Sequence, residues 1–341
     1  MTVTTRRATI DAGSIFKLLE LGDYLLPYTI RAVCLLGVAD ALAAGPLPMA
    51  ALAEATGSHE PTLRKAVEYL ATRELFTVDA DGAVALTPLS DLLRADHPYS
   101  ARDIFLSPVA CTRAMEGLDE AIRTGGPAFD VVHGKSMWDH LSDHPDDGVA
   151  FDRVMSGVTG MELVAILRAC DWQRFGSIVD VGGGNGGFLA SLLRRVKHAR
   201  GVLFDLPGVV AHAPEQFAAA GVSDRAEVVP GSFLAGPIPA GADAYVLKRI
   251  LYSWTDDEVV DILTRVRTAM HPQSRLFIME AGRHGDEPPV LARRMDLLMH
   301  TLTAGGARTL AEQSALLERA GLRLVRSVST PMFPIIEAQP A

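Results

Sequence analysis

The chain has 341 residues, 48% hydrophobic and 21% charged, which fits a globular protein of two domains or one large one. With 41 acids against 32 bases the net charge is −9, which argues against a general affinity for nucleic acid, whose electrostatic footprint is basic. Mean hydropathy is high at +0.19, yet the best apolar run, Tyr24 to Leu42, is broken by Pro27, Arg31 and Asp40, short of the roughly 20 apolar residues of a membrane span.

The first residues carry Arg6 and Arg7 with no apolar run behind them, so no signal peptide is expected. Cys34, Cys111 and Cys170 stand far apart and in no metal-like spacing. They read as buried or free thiols of a cytoplasmic protein, and no metal site is expected.

Residues 14–44 read as helix, from apolar residues at Ile15, Leu18, Leu19, Leu25, Leu26, Ile30, Val33, Cys34 and Val38. Gly45, Pro46 and Pro48 punctuate the chain. Two helices follow, Met49–Ala55 and Pro61–Leu75, around a turn at Thr56–Ser58. Thr77–Asp81 and Ala83–Thr87 flank an Asp81-Gly82 hairpin turn. Helix, turn, helix and a two-stranded wing is the winged-helix pattern. Its presumed reading region holds Arg64, Lys65 and Arg73 against Glu54, Glu60, Glu68 and Glu74. That is no basic face for phosphate, so a dimerisation or substrate-lid role is expected. A ligand-responsive DNA-binding regulator is the alternative from another class.

The winged part is expected over residues 1–100, a helical linker or lid over 101–170, and a sheet domain over 171–341. In the middle region, Asp139, His140, Asp143, His144, Asp146 and Asp147 read as a solvated helix end interrupted by Pro145. After residue 176 strands alternate with helices, which implies an α/β fold with a doubly wound parallel sheet. Asp180-Val-Gly-Gly-Gly-Asn-Gly-Gly187 follows a buried strand and precedes an apolar helix, so ligand can approach the backbone closely. Asp205, at the end of the next strand, is placed to bind a ribose. The run is neither a GxGxxG fingerprint nor a phosphate loop with lysine. A nucleoside cofactor without phosphate fits, and S-adenosylmethionine is one.

Here the chain resembles a known family. DWQRFGSIVDVGGGNGGFLASLL, LFDLPGVV, VVPGSF, YVLKRILYSWTDDE and GGARTLAEQSALLERAGL occur in order. They are similar to the plant-type small-molecule O-methyltransferases, including bacterial members from aromatic polyketide and antibiotic pathways. The resemblance covers nearly the whole chain. It implies a winged-helix dimerisation domain, a Rossmann-like domain binding S-adenosylmethionine, a homodimer and a small-molecule acceptor, with no nucleic acid or membrane partner. It implies that Gly182 and Gly184 line the cofactor, that Asp205 holds the ribose, and that Leu206 lies beside adenine. Ser232 and Phe233 match an acid–aromatic pair near adenine, with the acid absent. Lys248 matches a position near the cofactor. Trp138, Met155 and Asp296–Met299 fall where the family lines its acceptor pocket.

The resemblance also implies where the chemistry sits. The family carries a base histidine in a segment similar to LKHxLHDW, and here Leu247–Trp254 reads LKRILYSW. Tyr252 takes the base position. At pH 7 an unperturbed tyrosine is only about one part in a thousand ionised, so it is a poor base. Glu280 matches one supporting glutamate, whereas Ala307 stands in the run that normally holds the second. Three readings remain open. Transfer can proceed by proximity and desolvation, with Tyr252 bonding the acceptor or only walling the pocket. His300, four residues after Asp296 on one helix face, can serve as base. Or the bound cofactor supports decarboxylation, hydroxylation or cyclisation instead.

Overall fold

The computed structural model describes residues 11–284, 290–331 and 333–341, apart from the side chains of residues 158–161. The Arg6–Arg7 pair lies outside the described residues. The chain divides into two compact units, one ending at Leu106 and one beginning at Ser107.

The first unit has helices Ala12–Leu21, Leu25–Leu35, Met49–Ala55 and Glu60–Ala71. Its antiparallel sheet holds β1 (Leu47–Pro48), β2 (Phe76–Val78) and β3 (Ala83–Leu86) in the order β1-β3-β2. The wing is therefore the expected hairpin plus one short strand. Leu52, Val67, Leu70, Phe76 and Val84 form its core. Arg64 is paired with Glu60 (2.7 Å), and Arg73 with Glu20 (2.5 Å) and Asp23 (3.2 Å). Both guanidinium groups are thus engaged by acids rather than turned toward a phosphate. The Ala12–Leu21 helix buries none of its residues, and Phe16, Leu18, Leu19 and Leu21 are each more than half exposed.

The second unit is built on one seven-stranded sheet. Its strands are β4 (Ser177–Val181), β5 (Arg200–Asp205), β6 (Ala226–Pro230), β7 (Ala244–Lys248), β8 (Arg275–Met279), β9 (Leu322–Val328) and β10 (Ile335–Pro340). They lie in the order β6-β5-β4-β7-β8-β10-β9. β4 through β8 pair in parallel, and β10 runs antiparallel between β8 and β9. Helices cover both faces, so the central strands are apolar on both sides. Consecutive residues Ile178 and Val179 enter two different cores. The chain winds from β4 outward to β6, then crosses back to β7. That reversal opens a crevice beyond the C-terminal ends of β4 and β7, where such sheets bind ligands.

β10 is absent from the sequence reading. It carries Glu337, only 2% exposed, whose carboxylate is held by Arg174 (2.5 Å), Arg326 (2.7 Å) and Arg275 (3.5 Å). Around the sheet lie the helices Met137–Asp143, Pro145–Ala169, Gly187–Arg195, Asp256–Ala269, Val290–Thr303 and Leu310–Arg319. Among the described residues no helix is long and apolar enough to cross a membrane.

Of the six residues expected at a solvated helix end, Asp139, Asp143, His144 and Asp146 are exposed, Asp147 is half-buried and His140 is buried. His140 is buried and its Nε2 meets Asp147 at 2.9 Å. The rings of Phe129, His133 and His144 surround it at 5.5, 5.4 and 4.0 Å. Pro145 starts the next helix here, which folds Asp147 back over His140 instead of fraying the end. Among the described residues no group of three such side chains is arranged to hold a metal. All three cysteines are free and buried.

Candidate active site

The glycine turn after β4 folds back onto β5, where Gly182 N–H donates to the Phe204 carbonyl (2.7 Å). On the inner side there is no room for side chains. A Cβ on Gly183 would lie 2.5 Å from both Asp180 Oδ2 and Leu203 Cδ1. Gly184, at φ +63°, has nothing within 4 Å of its Cβ position, so its backbone borders open space.

Asp205 lies beside that space. Its Oδ2 accepts from Gly184 N–H (2.9 Å) and its Oδ1 from Leu206 N–H (2.7 Å). Each carboxylate oxygen keeps a further lone pair for a ligand hydroxyl. Burial raises the Asp205 carboxyl above its usual range, and the two backbone bonds oppose this. Leu206 is 50% exposed and offers an apolar face next to the carboxylate. The turn holds no lysine or arginine. Open backbone, ribose-ready carboxylate and apolar neighbour fit S-adenosylmethionine.

A buried charge cluster underlies the turn. Asp180 is 1% exposed, and neither carboxylate oxygen has a hydrogen-bond partner among the described residues. Burial pushes its carboxyl up and the Lys248 ammonium down, and their mutual attraction opposes both shifts. Lys248 Nζ also lies 3.9 Å from Glu162 Oε2. The same oxygen is 3.9 Å from Arg249 Nη2, which donates to the Met155 carbonyl at 2.8 Å. Arg249 sits at φ +59°, an uncommon conformation for a residue with a side chain. Met155 therefore meets the site through its backbone. Glu162 and Arg249 were missed in the sequence. Glu162 gave one faint signal, a lone acid within the apolar run Met161–Ile166.

An aromatic row runs alongside. Phe233 meets Trp254 edge-on (6.0 Å), Trp254 stacks on Trp138 (5.8 Å, 16°), and Trp138 meets Phe151 edge-on (5.9 Å). The Trp138 indole N–H is buried without a partner among the described residues. Ser232 accepts from Leu234 N–H (3.2 Å) and closes a local turn beside Phe233.

Tyr252 is 4% exposed and clusters with Met137, Met299, Leu302 and Ala307. Burial pushes its phenol above its ordinary value, only partly opposed by Arg249, so it stays protonated at neutral pH. Its short 3-10 turn, Leu251–Ser253, is clamped from several sides. Tyr252 N–H donates to Glu280 Oε2 (3.1 Å), and its carbonyl accepts from Gly306 N–H (2.8 Å). Arg308 donates to the carbonyls of Leu251 (3.0 Å) and Trp254 (2.7 Å). Glu280 also accepts from the Gln313 amide (3.4 Å), and burial holds its carboxyl up at about 7 against the pull of Arg308. Glu280 thus faces the backbone of the turn.

The Val290–Thr303 helix brings three more expected residues. Asp296 accepts from Ala307 N–H (2.9 Å) and lies 3.5 Å from Arg283 Nε. Met299 is buried, and its sulfur accepts from the Ser253 hydroxyl (3.9 Å). His300 is half-buried one turn beyond Asp296.

Comparison with known proteins identifies the family. A family model described as an O-methyltransferase domain matches residues 115–323, and one described as an O-methyltransferase dimerisation domain matches residues 19–96. The mitomycin biosynthesis 6-O-methyltransferase of Streptomyces lavendulae is 38% identical over 303 residues, 88% of this chain and 86% of that protein. The solved structure of LaPhzM superposes with a TM-score of 0.90 at 32% identity, covering 97% of this chain and 100% of that one. The O-methyltransferase NcsB1 from neocarzinostatin biosynthesis, solved with S-adenosylmethionine and 2-hydroxy-5-methyl naphthoic acid, superposes at 0.82 with 34% identity, covering 98% and 100%. With the catalytic-domain model spanning more than half of its length, the chain belongs to the O-methyltransferase family and is an S-adenosylmethionine-dependent methyltransferase.

Proposed function

We propose that this enzyme methylates a hydroxyl of a planar aromatic or polyketide-like molecule in secondary metabolism, and that it does so as a homodimer. The aromatic row Phe233–Trp254–Trp138–Phe151 carries the reading. It offers ring faces and edges beside the cluster of Tyr252 and Met299, the surface a fused-ring acceptor packs against. The names of the similar proteins support it, since one acts in mitomycin biosynthesis and another was solved with a hydroxylated naphthoic acid.

When bound, S-adenosylmethionine supplies an electrophilic methyl carbon. Asp205 and the Gly184 backbone hold its ribose end in this reading. Trp138 and Met299 orient the acceptor. Tyr252 remains a neutral phenol and bonds to the acceptor oxygen instead of removing its proton. Glu280 positions the Tyr252 turn from behind. The acceptor then loses its proton through its own acidity, and the rate comes from in-line placement in a water-poor pocket. His300 is the side chain to test as an alternative base, and the exposed apolar face of Ala12–Leu21 supports the homodimer.

The test is product mass after incubation with S-adenosylmethionine and a panel of hydroxynaphthoates and phenols. Gain of one methyl group is expected. Loss of carbon dioxide or gain of oxygen overturns the reading in favour of another tailoring reaction.

A further inference from the structure

The long helix Pro145–Ala169 reaches the strand ends that form the site. Ser156 accepts from the Asn185 amide in the glycine turn after β4 (3.0 Å). The Met155 carbonyl accepts from Arg249 just after β7 (2.8 Å). Asp152 precedes these by three and four residues, so it shares their face of the helix. The charge of Asp205, at the end of β5, acts on the Asp152 carboxyl. Three residues of one helix face thus address the ends of three neighbouring strands.

Asp152 is unusual on that face. Its carboxylate takes part in no hydrogen bond or ion pair among the described residues, although it is partly buried. Burial and the charge of Asp205 push its carboxyl up to about 6. Asp205 is raised as well. Asp152 thus stands one turn before Ser156 and its bond to the glycine turn, with no partner among the described residues to account for its partly buried place.

We propose that Asp152 is a cofactor-facing residue that makes the cleft select for charge, favouring the sulfonium form of the cofactor over its thioether by-product. S-adenosylmethionine carries one positive charge more than S-adenosylhomocysteine, while the ribose and adenine are common to both. A contact to the ribose treats the two alike. A second carboxylate, on the helix face that meets the glycine turn, attracts the charged form and lets the neutral one leave. This rests on the cofactor assignment of the family.

Calorimetry of both ligands at pH 8, on wild type and Asp152→Asn, tests the idea without turnover. The substitution keeps the shape and breaks no bond, so an unchanged melting curve is the control for folding. Binding of S-adenosylmethionine is expected to weaken about tenfold, and of S-adenosylhomocysteine by less than about twofold. A variant that binds both ligands as the wild type does, or loses both equally, overturns the proposal. A wild-type protein that binds neither ligand overturns the cofactor assignment itself, and the proposal with it.

Discussion

The backbone N–H of Tyr252 donates to the carboxylate of Glu280 across 28 residues of sequence, at 3.1 Å. The carboxylate matched to a catalytic position thus serves the main chain of the turn that carries Tyr252. Burial holds its carboxyl at about 7 in the fold, against 4.5 ordinarily. The folded protein therefore binds this proton more tightly than the unfolded chain. Stability from this group is full below pH 4.5 and is lost as pH rises toward 7, by on the order of 3 kcal/mol. Denaturant unfolding at pH 5 and pH 8 is expected to show a smaller fall in Glu280→Gln than in wild type. Equal falls would remove this role for Glu280.

Gly305 sets the other side of the same turn. A Cβ there would lie 2.1 Å from the Tyr252 carbonyl oxygen and 2.7 Å from the Ser253 carbonyl carbon. Both are backbone atoms and cannot rotate aside. Gly305→Ala is expected to lower the melting temperature by several degrees and kcat by at least about tenfold. Affinity for S-adenosylhomocysteine, measured by calorimetry, should change little. A variant with wild-type kcat would show that the turn has no bearing on transfer.

Asp205 joins the glycine turn to the end of β5. Asp205→Ala removes the acceptor for Gly184 N–H and Leu206 N–H together with the proposed ribose contact. Affinity for S-adenosylhomocysteine is expected to drop about a hundredfold. Intact binding in the variant would count directly against the ribose assignment.

Trp138 is the centre of the aromatic row. Trp138→Ala is expected to raise the acceptor KM about tenfold while leaving cofactor affinity within twofold. The check is a KM and kcat series, with calorimetry in parallel. A fall in kcat alone, at constant KM, would assign Trp138 to the transition state instead of to binding.

The apolar face of the first helix predicts the assembly. Phe16 and Leu19 are 71% and 66% exposed, and no described residue of their own unit covers them. Sedimentation of the wild type should show a dimer at micromolar concentration, and Phe16→Asp with Leu19→Asp should yield monomer. A monomeric wild type refutes the homodimer.

Local patterns made much of this legible. The β4 strand, glycine turn, helix and Asp205 lie within 29 consecutive residues, so their geometry follows from strand and turn chemistry. The wing was readable from Asp81-Gly82, whose glycine does adopt φ +79°. Glu162 and Asp152 were not, because an acid on a long helix looks solvated until distant strands close over it. The orientation of Glu280 was hidden for the same reason. Its partners, the Tyr252 backbone and Gln313, come from opposite directions in the chain.

β10 carries a consequence for how the chain reaches its fold. β8 pairs with β10 through residues 276–279 and 335–338, so without this strand one edge of the parallel sheet would be open. An open strand edge is a template for wrong pairing and for aggregation. Glu337 acts as a password for that edge. A strand that inserts there must bring a carboxylate to Arg174, Arg275 and Arg326, or leave those guanidinium groups without their anion. The fit of β10 in the sheet is thus specified by charge as well as by shape.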